Sequence, residues 1–266
     1  MSDLLMKVEN LEVEYRRAGQ KPVKAVRGVD FEVRAGETLG IAGESGSGKS
    51  TIAKALMLLQ PVTAGTIWFE GRDIRKLDDA GRKDYRCAVQ MVFQDAVGSL
   101  NPRMTIRQML DETLRVCARR EASRPEALRT ASDLLTVVGL SQAVLDQYPR
   151  ELSGGQCQRA SFARALAVGP RVLVADEPVS ALDVSVQARI LNLLRDLRKN
   201  LGLSVILIAH DLAVVRNVCD RVCVMQNGVF VDAGPTERVF SEPTSAYTRH
   251  LLAAVPDVTR ALAARA

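Results

Sequence analysis

The run Gly43-Glu44-Ser45-Gly46-Ser47-Gly48-Lys49-Ser50-Thr51 packs glycines, a lysine and hydroxyls into nine residues. Glycines let backbone N–H groups converge on an anion without Cβ interference, and a helix that follows aims its positive end at the same place. The pattern G-x-x-x-x-G-K-S adds a cation for β- and γ-phosphates and a hydroxyl for Mg²⁺, so Lys49 and Ser50 take those roles. A Gly/Ser-rich turn could match by accident. The setting argues otherwise: Thr38–Ala42 reads as a buried strand and Ile52–Leu59 as a helix, the context a phosphate loop needs.

A second candidate lies at Asp176-Glu177-Pro178, after the apolar strand Val172–Ala175. Ligands of open α/β sheets sit at the C-terminal ends of strands. Asp176 is expected to hold Mg²⁺ through water, and Glu177 to polarise an attacking water. Alone, such a tripeptide is an ordinary turn or helix start, and its chemistry comes from its pairing with the phosphate loop.

A third candidate is Leu152-Ser153-Gly154-Gly155-Gln156. Glycines in a helix interior cost roughly 1 kcal/mol each, so the stretch reads as a helix start capped by Ser153, with the helix over Gln156–Val168. A capped helix is the bland reading. One phosphate loop needs only one cradle, so a second exposed helix N-terminus points to a phosphate held by another subunit.

With these three motifs in order, the chain resembles the ATP-binding subunits of ABC transporters, and among them the branch serving oligopeptide, dipeptide and nickel uptake. A glutamine loop at Val92-Phe93-Gln94-Asp95, a D-loop at Ser180-Ala181-Leu182-Asp183 and a switch histidine at His210 complete the general pattern. Gly98–Arg103, Asp183–Ala188 and the tail at Tyr247-Thr248 with Leu251-Leu252 suggest the branch. The resemblance spans residues 4–256.

The resemblance implies an α/β P-loop NTPase fold with a core mixed sheet, an antiparallel β subdomain and a helical signature subdomain at about 101–165, followed by a frayed tail at 257–266. It implies ATP and Mg²⁺ as cofactors, held by residues 43–51 of one subunit and Ser153, Gly154, Gly155 and Gln156 of another. Tyr15 would stack on adenine. Gln94 would contact Mg²⁺ or the attacking water and move with the membrane partner, Asp183 would link the subunits, and His210, after the strand Val205–Ala209, would contact the γ-phosphate. Two multi-span permeases, a second ATPase subunit, expected to be non-identical, and an extracytoplasmic solute-binding protein are the implied partners, at the cytoplasmic face of the cell membrane. The same motifs also serve non-transport complexes such as phosphonate degradation. DNA-repair and translation ATPases carry coiled coils or duplicated heads that this sequence lacks.

Three departures stand out. Cys157 follows the signature where charged or amide residues are usual, and as a first-turn thiol it is expected to be activated by the helix dipole and accessible. Val179 replaces a common Thr, and Ser245-Ala246 replaces His-Pro before Tyr247. No Cys follows Cys223, so the C-terminal iron–sulfur cluster of some relatives is not expected.

The elements that must position these residues are legible in outline. The 266 residues, 47% hydrophobic and 25% charged, suffice for a sizeable core and argue against disorder. No apolar run approaches the ~20 residues of a membrane span and the N-terminus shows no leader pattern. The net charge of +5 suits ATP or an anionic membrane face, and equally a solvated surface. Five cysteines, an odd number, suggest no disulfide framework; Cys219 and Cys223 are read as core residues. Lys7–Tyr15, Ala25–Val33 and Thr66–Glu70 read as antiparallel strands, and Val89–Phe93 as a core strand. Asn101 to about Arg150 reads as helical, with Arg115–Arg129 a solvated face. Strands and helices then alternate, and Asn227-Gly228 reads as a hairpin turn.

Overall fold

The computed structural model describes residues 4–16, 21–116, 125–180 and 182–254. Part of the solvated Arg115–Arg129 face, Ala181 and the expected tail at 257–266 lie outside the described residues. The chain opens with β1 (Leu4–Tyr15), β2 (Val23–Arg34), β3 (Thr38–Ala42) and α1 (Lys49–Leu56). Next come β4 (Ala64–Phe69), β5 (Arg72–Asp73), α2 (Asp79–Ala88) and β6 (Val89–Val92). Between β6 and the next strand the described residues hold only helices and turns: α3 (Ala96–Ser99), α4 (Ile106–Val116), α5 (Ala131–Val137) and α6 (Gly154–Leu166). Then β7 (Val172–Asp176), α7 (Val184–Leu201), β8 (Ser204–Ala209) and α8 (Leu212–Val218) alternate. The hairpin β9 (Arg221–Gln226) and β10 (Val229–Pro235) precedes α9 (Thr236–Ser241) and α10 (Ala246–Ala253).

β2-β1-β4-β5 form an antiparallel sheet. β10-β9-β3-β8-β7-β6 form a mixed sheet, antiparallel only at β10–β9. The apolar runs explain the mixed sheet: β3, β7 and β8 are buried at every position, which central parallel strands covered on both faces require. Alternation along β7 divides the core. Val172 and Val174 pack with α1 and the antiparallel sheet, whereas Leu173 and Ala175 pack with α4 to α8. The mixed sheet is thus the middle layer.

The expected strands are found at β1, β2 and β4 with ends shifted by at most three residues. The signature helix starts at Gly154 rather than Gln156, because first-turn N–H groups have no intrahelical acceptor to lose and glycines are tolerated there. Cys157, Cys219 and Cys223 are free and buried. Against the expectation of no disulfide framework, Cys87 is disulfide-bonded. Among the described residues no helix is long and apolar enough to cross a membrane.

Candidate nucleotide-binding and catalytic site

Four parallel neighbours, β3, β8, β7 and β6, end on one edge of the mixed sheet. Their registers align Ala42 with Ala209, Asp176 with Ile208, and Val92 with Ala175. The residue groups that follow these ends are the phosphate loop, His210, Glu177 and Gln94. Parallel pairing therefore brings together residues spread over more than 160 positions, at the edge where open sheets bind ligands.

The loop from Gly43 to Gly48 is braced from outside. Gly43 has φ 150°, and a Cβ there would sit 2.2 Å from the Met225 carbonyl oxygen, so only glycine fits. The Asn227-Gly228 turn, with φ 49° and 86°, is the expected hairpin turn. It also holds the loop, since Gly228 N–H donates to the Ser47 carbonyl at 2.9 Å. Glu44 N–H donates to Tyr247 Oη at 3.1 Å. Ser45 and Gly46 are exposed at the rim. Tyr15 Oη lies 3.3 Å from Thr51 Oγ1, which seats the Tyr15 ring beside the loop and its helix.

Lys49 is 4% exposed, yet among the described residues its ammonium meets only neutral oxygens within hydrogen-bond distance: Gly43 O at 2.7 Å, Glu44 O at 2.8 Å and Ser47 Oγ at 3.5 Å. Burial lowers its pKa, while Glu177, Asp176 and Glu44 pull it back up. Among the described residues no carboxylate lies within ion-pair distance of this buried cation, which is costly, so the cradle fits a polyanion. Beside it, Ser50 Oγ donates to Asp176 Oδ1 at 3.0 Å. Burial raises the Asp176 pKa, opposed by the Ser50 bond and by Lys54 and Lys49. No group of three or more His, Cys, Asp or Glu able to hold a metal exists among the described residues. One hydroxyl and one carboxylate next to a phosphate cradle instead match Mg²⁺, which is held by one or two carboxylates together with substrate phosphates.

Glu177 occupies the left-handed region at φ 46°, a conformation costing about 1–3 kcal/mol for a non-glycine residue. It is held there by Glu177 N–H donating to Ile208 O at 3.0 Å and by Ser180 Oγ donating to Glu177 O at 3.1 Å. Its carboxylate meets two other candidate site residues. Gln94 Nε2 donates to Glu177 Oε2 at 3.2 Å, and His210 Nδ1 lies 3.3 Å from the same oxygen. Gln94 also donates to Ser180 Oγ at 3.2 Å. Backbone strain of this kind clusters at active sites, which makes Glu177 a candidate catalytic position.

The signature residues lie apart from this cluster. Ser153 is the expected N-cap: its Oγ accepts from Gln156 N–H at 3.3 Å, and Gln156 Oε1 accepts from Ser153 N–H at 2.9 Å, which completes a capping box. Among the described residues no hydrogen bond joins 153–156 to the phosphate loop. Leu182 and Val186 lie beneath Gly154 and Gly155 instead. Asp183 is exposed and caps α7, its Oδ1 accepting from Val186 N–H at 2.9 Å, so the structure gives it a local role in this chain. Two links tie α6 to α3, the helix that follows the glutamine loop: Arg164 Nη1 donates to Ser99 O at 2.5 Å, and the Ser99 and Ser161 hydroxyls are 3.3 Å apart.

Cys157 corrects the expectation of an accessible, activated thiol. It is fully buried, its Sγ faces Pro149 O at 3.4 Å, and burial raises its pKa. Burial desolvates the thiolate and so disfavours the charged form. Sequence reasoning also missed Ser180 as the second contact of Gln94, and Met225, Gly228 and Tyr247 as braces of the phosphate loop. The Asn-Gly turn and the tail tyrosine were visible, but their partner was not.

Comparisons with known proteins bear on the family and the fold. A family model described as ABC transporter matches residues 26–180. The chain is 46% identical over 240 residues to an oligopeptide transport ATP-binding protein of Lactococcus lactis subsp. lactis, covering 90% of this chain and 75% of that protein. It is 41% identical over 254 residues to a dipeptide transport ATP-binding protein of Lactococcus lactis subsp. cremoris, covering 95% and 81%. Among solved structures, a dimeric post-hydrolysis ATP-binding cassette bound to ADP and Pi superposes with TM-score 0.74 at 29% identity, over 87% of this chain and 99% of that one.

Proposed function

Because this chain belongs to the ABC transporter family, we propose that it is the ATP-hydrolysing subunit that drives a peptide importer. The observation that carries the reading is the meeting of Gln94, Glu177 and His210 at one carboxylate oxygen, beside the Ser50–Asp176 pair and the Lys49 cradle. The names of the relatives favour peptides over nickel, and transport over a non-transport complex.

The loop N–H groups and Lys49 bind the triphosphate, and Tyr15 supports the adenine. Ser50, Asp176 and Gln94 would hold Mg²⁺, which would supply positive charge against the triphosphate. Glu177 accepts a hydrogen bond from the attacking water and orients it, and His210 fixes the Glu177 carboxylate and faces the γ-phosphate. Catalysis is positioning plus electrostatic stabilisation. Ser153–Gln156 complete the site of a second ATPase subunit, and Asp183 faces that subunit. Residues 4–256 act as one ATPase unit, with the helices of about 101–165 as its signature arm. Motion at Gln94 passes through Asp95, which caps α3, to Ser99, Arg164 and α6. Two permease subunits at the cytoplasmic face of the membrane receive that motion, and an extracytoplasmic binding protein supplies the solute.

The test is reconstitution in vesicles with the co-purifying membrane subunits and binding protein. ATP hydrolysis should rise on adding peptide, and peptide should accumulate only with ATP. Failure to capture multi-span partners, or accumulation of peptide without ATP, overturns the proposal.

A further inference from the structure

The peptide unit joining Gly43 to Glu44 is gripped at both ends. Its N–H donates to Tyr247 Oη at 3.1 Å, and its carbonyl accepts from Lys49 Nζ at 2.7 Å. In a trans peptide these groups point in opposite directions, so the plane is pinned between the two side chains. Tyr247 is 203 positions from Glu44 and lies on α10, whose attachment to the mixed sheet is firm. Thr244 N–H donates to Asp232 Oδ2 at 2.8 Å, and Asp232, itself buried, pairs with Arg238 at 2.9 Å. Ser245 Oγ caps the helix by accepting from Tyr247 N–H at 3.2 Å, Arg249 Nη1 donates to Pro243 O at 3.0 Å, and Thr248 is fully buried. The tyrosine ring also packs against the core on the helical side of the sheet.

We propose that Tyr247 is a positioning residue for nucleotide binding: through the Gly43–Glu44 peptide it fixes the carbonyl that orients the Lys49 ammonium. The inference rests on the reading of Lys49 as the phosphate grip. The hydroxyl is the acting atom. Glu44 is exposed, so without that hydroxyl its N–H turns to water, and the plane loses its fixed reference while Lys49 keeps its acceptors. Binding and docking of α10 are then linked, and each strengthens the other by the same factor.

Tyr247→Phe removes the hydroxyl and keeps the ring and its packing. The full chain is titrated with Mg·ADP, which cannot be hydrolysed at the site, and its thermal midpoint is recorded. Loss of one neutral hydrogen bond should raise Kd about three- to tenfold with an unchanged midpoint. In the Lys49→Ala background the same substitution should change Kd by less than about twofold, because the element it positions is gone. An unchanged Kd for Tyr247→Phe, while Lys49→Ala weakens binding, overturns the proposal and leaves the phosphate-loop reading intact. An equal fold-loss in both backgrounds, or a loss that tracks a lowered midpoint, shows a general structural effect and also overturns it. Wild-type affinity in Lys49→Ala would instead sink the phosphate-loop reading itself.

Discussion

Gly155→Ala tests how the signature helix is seated. A Cβ at Gly155 would lie 2.7 Å from Val186 Cγ1, whereas the next nearest atoms of that side chain are at 3.7 and 3.8 Å, ordinary contact distances. Carbon atoms pack at about 3.5–4.0 Å, so α6 and α7 must separate locally by about 1 Å or Val186 must leave its rotamer. A β-branched residue in a helix has one strongly preferred χ1, which makes the second escape expensive. Overpacking of this kind costs about 1–3 kcal/mol, offset by the up to ~1 kcal/mol that Ala gains over Gly in a helix. Gly155 is not in the left-handed region, so no backbone strain confounds the estimate. Val186→Ala removes Cγ1 and leaves the Cβ at 3.8 Å, where Gly155→Ala should become neutral or stabilising. The coupling between the two sites should therefore be about 2 kcal/mol, read from denaturant or thermal unfolding of the four members of the cycle. ATP turnover in the assembled complex should fall by up to about 10²-fold in Gly155→Ala, because a 1 Å displacement misplaces the cradle offered to the partner's nucleotide. The double variant should recover part of it. Stabilities that add to within about 0.5 kcal/mol would refute the steric argument.

Glu177→Gln should lower steady-state hydrolysis by about 10²–10⁴-fold while nucleotide binding persists, measured as phosphate release beside an equilibrium titration; near-wild-type turnover would remove Glu177 from its catalytic role. Lys49→Ala should lower both nucleotide affinity and turnover, because the buried ammonium is the side-chain cation of the cradle. Cys157 should resist alkylation in the folded chain with or without nucleotide and react only on unfolding, since its thiol is buried and its pKa raised. Fast labelling that ATP blocks, followed by mass spectrometry, would contradict its burial.

The placement of the candidate site was largely legible from local pattern. Strand, glycine loop, lysine and helix occur within twenty residues, and a strand that ends in Asp176-Glu177 declares its own edge. Parallel pairing was implied by alternating strands and helices, and this was enough to gather Lys49, Asp176, Glu177 and His210 at one sheet edge. The Asn227-Gly228 turn was legible for the same reason: φ above zero at both positions is a property of the dipeptide.

What the tertiary structure alone decided concerns facing and distance. Cys157 stands one position after Gln156, and sequence could place both near the helix start. Only packing shows that the phase of α6 turns Cys157 and Gln158 inward while Gly154 stays exposed, and desolvation then reverses the expected thiol chemistry. Glu177 in the left-handed region is equally hidden, because the strain is borne by contacts from Ile208 and Ser180, not by its own preference. The two braces of the phosphate loop, from Gly228 and Tyr247, come from segments about 180 and 200 residues downstream. A motif records which residues can bind phosphate because that capacity is local. It does not record what holds the loop, because those backbone groups find their partners only when distant strands and helices close over the same sheet.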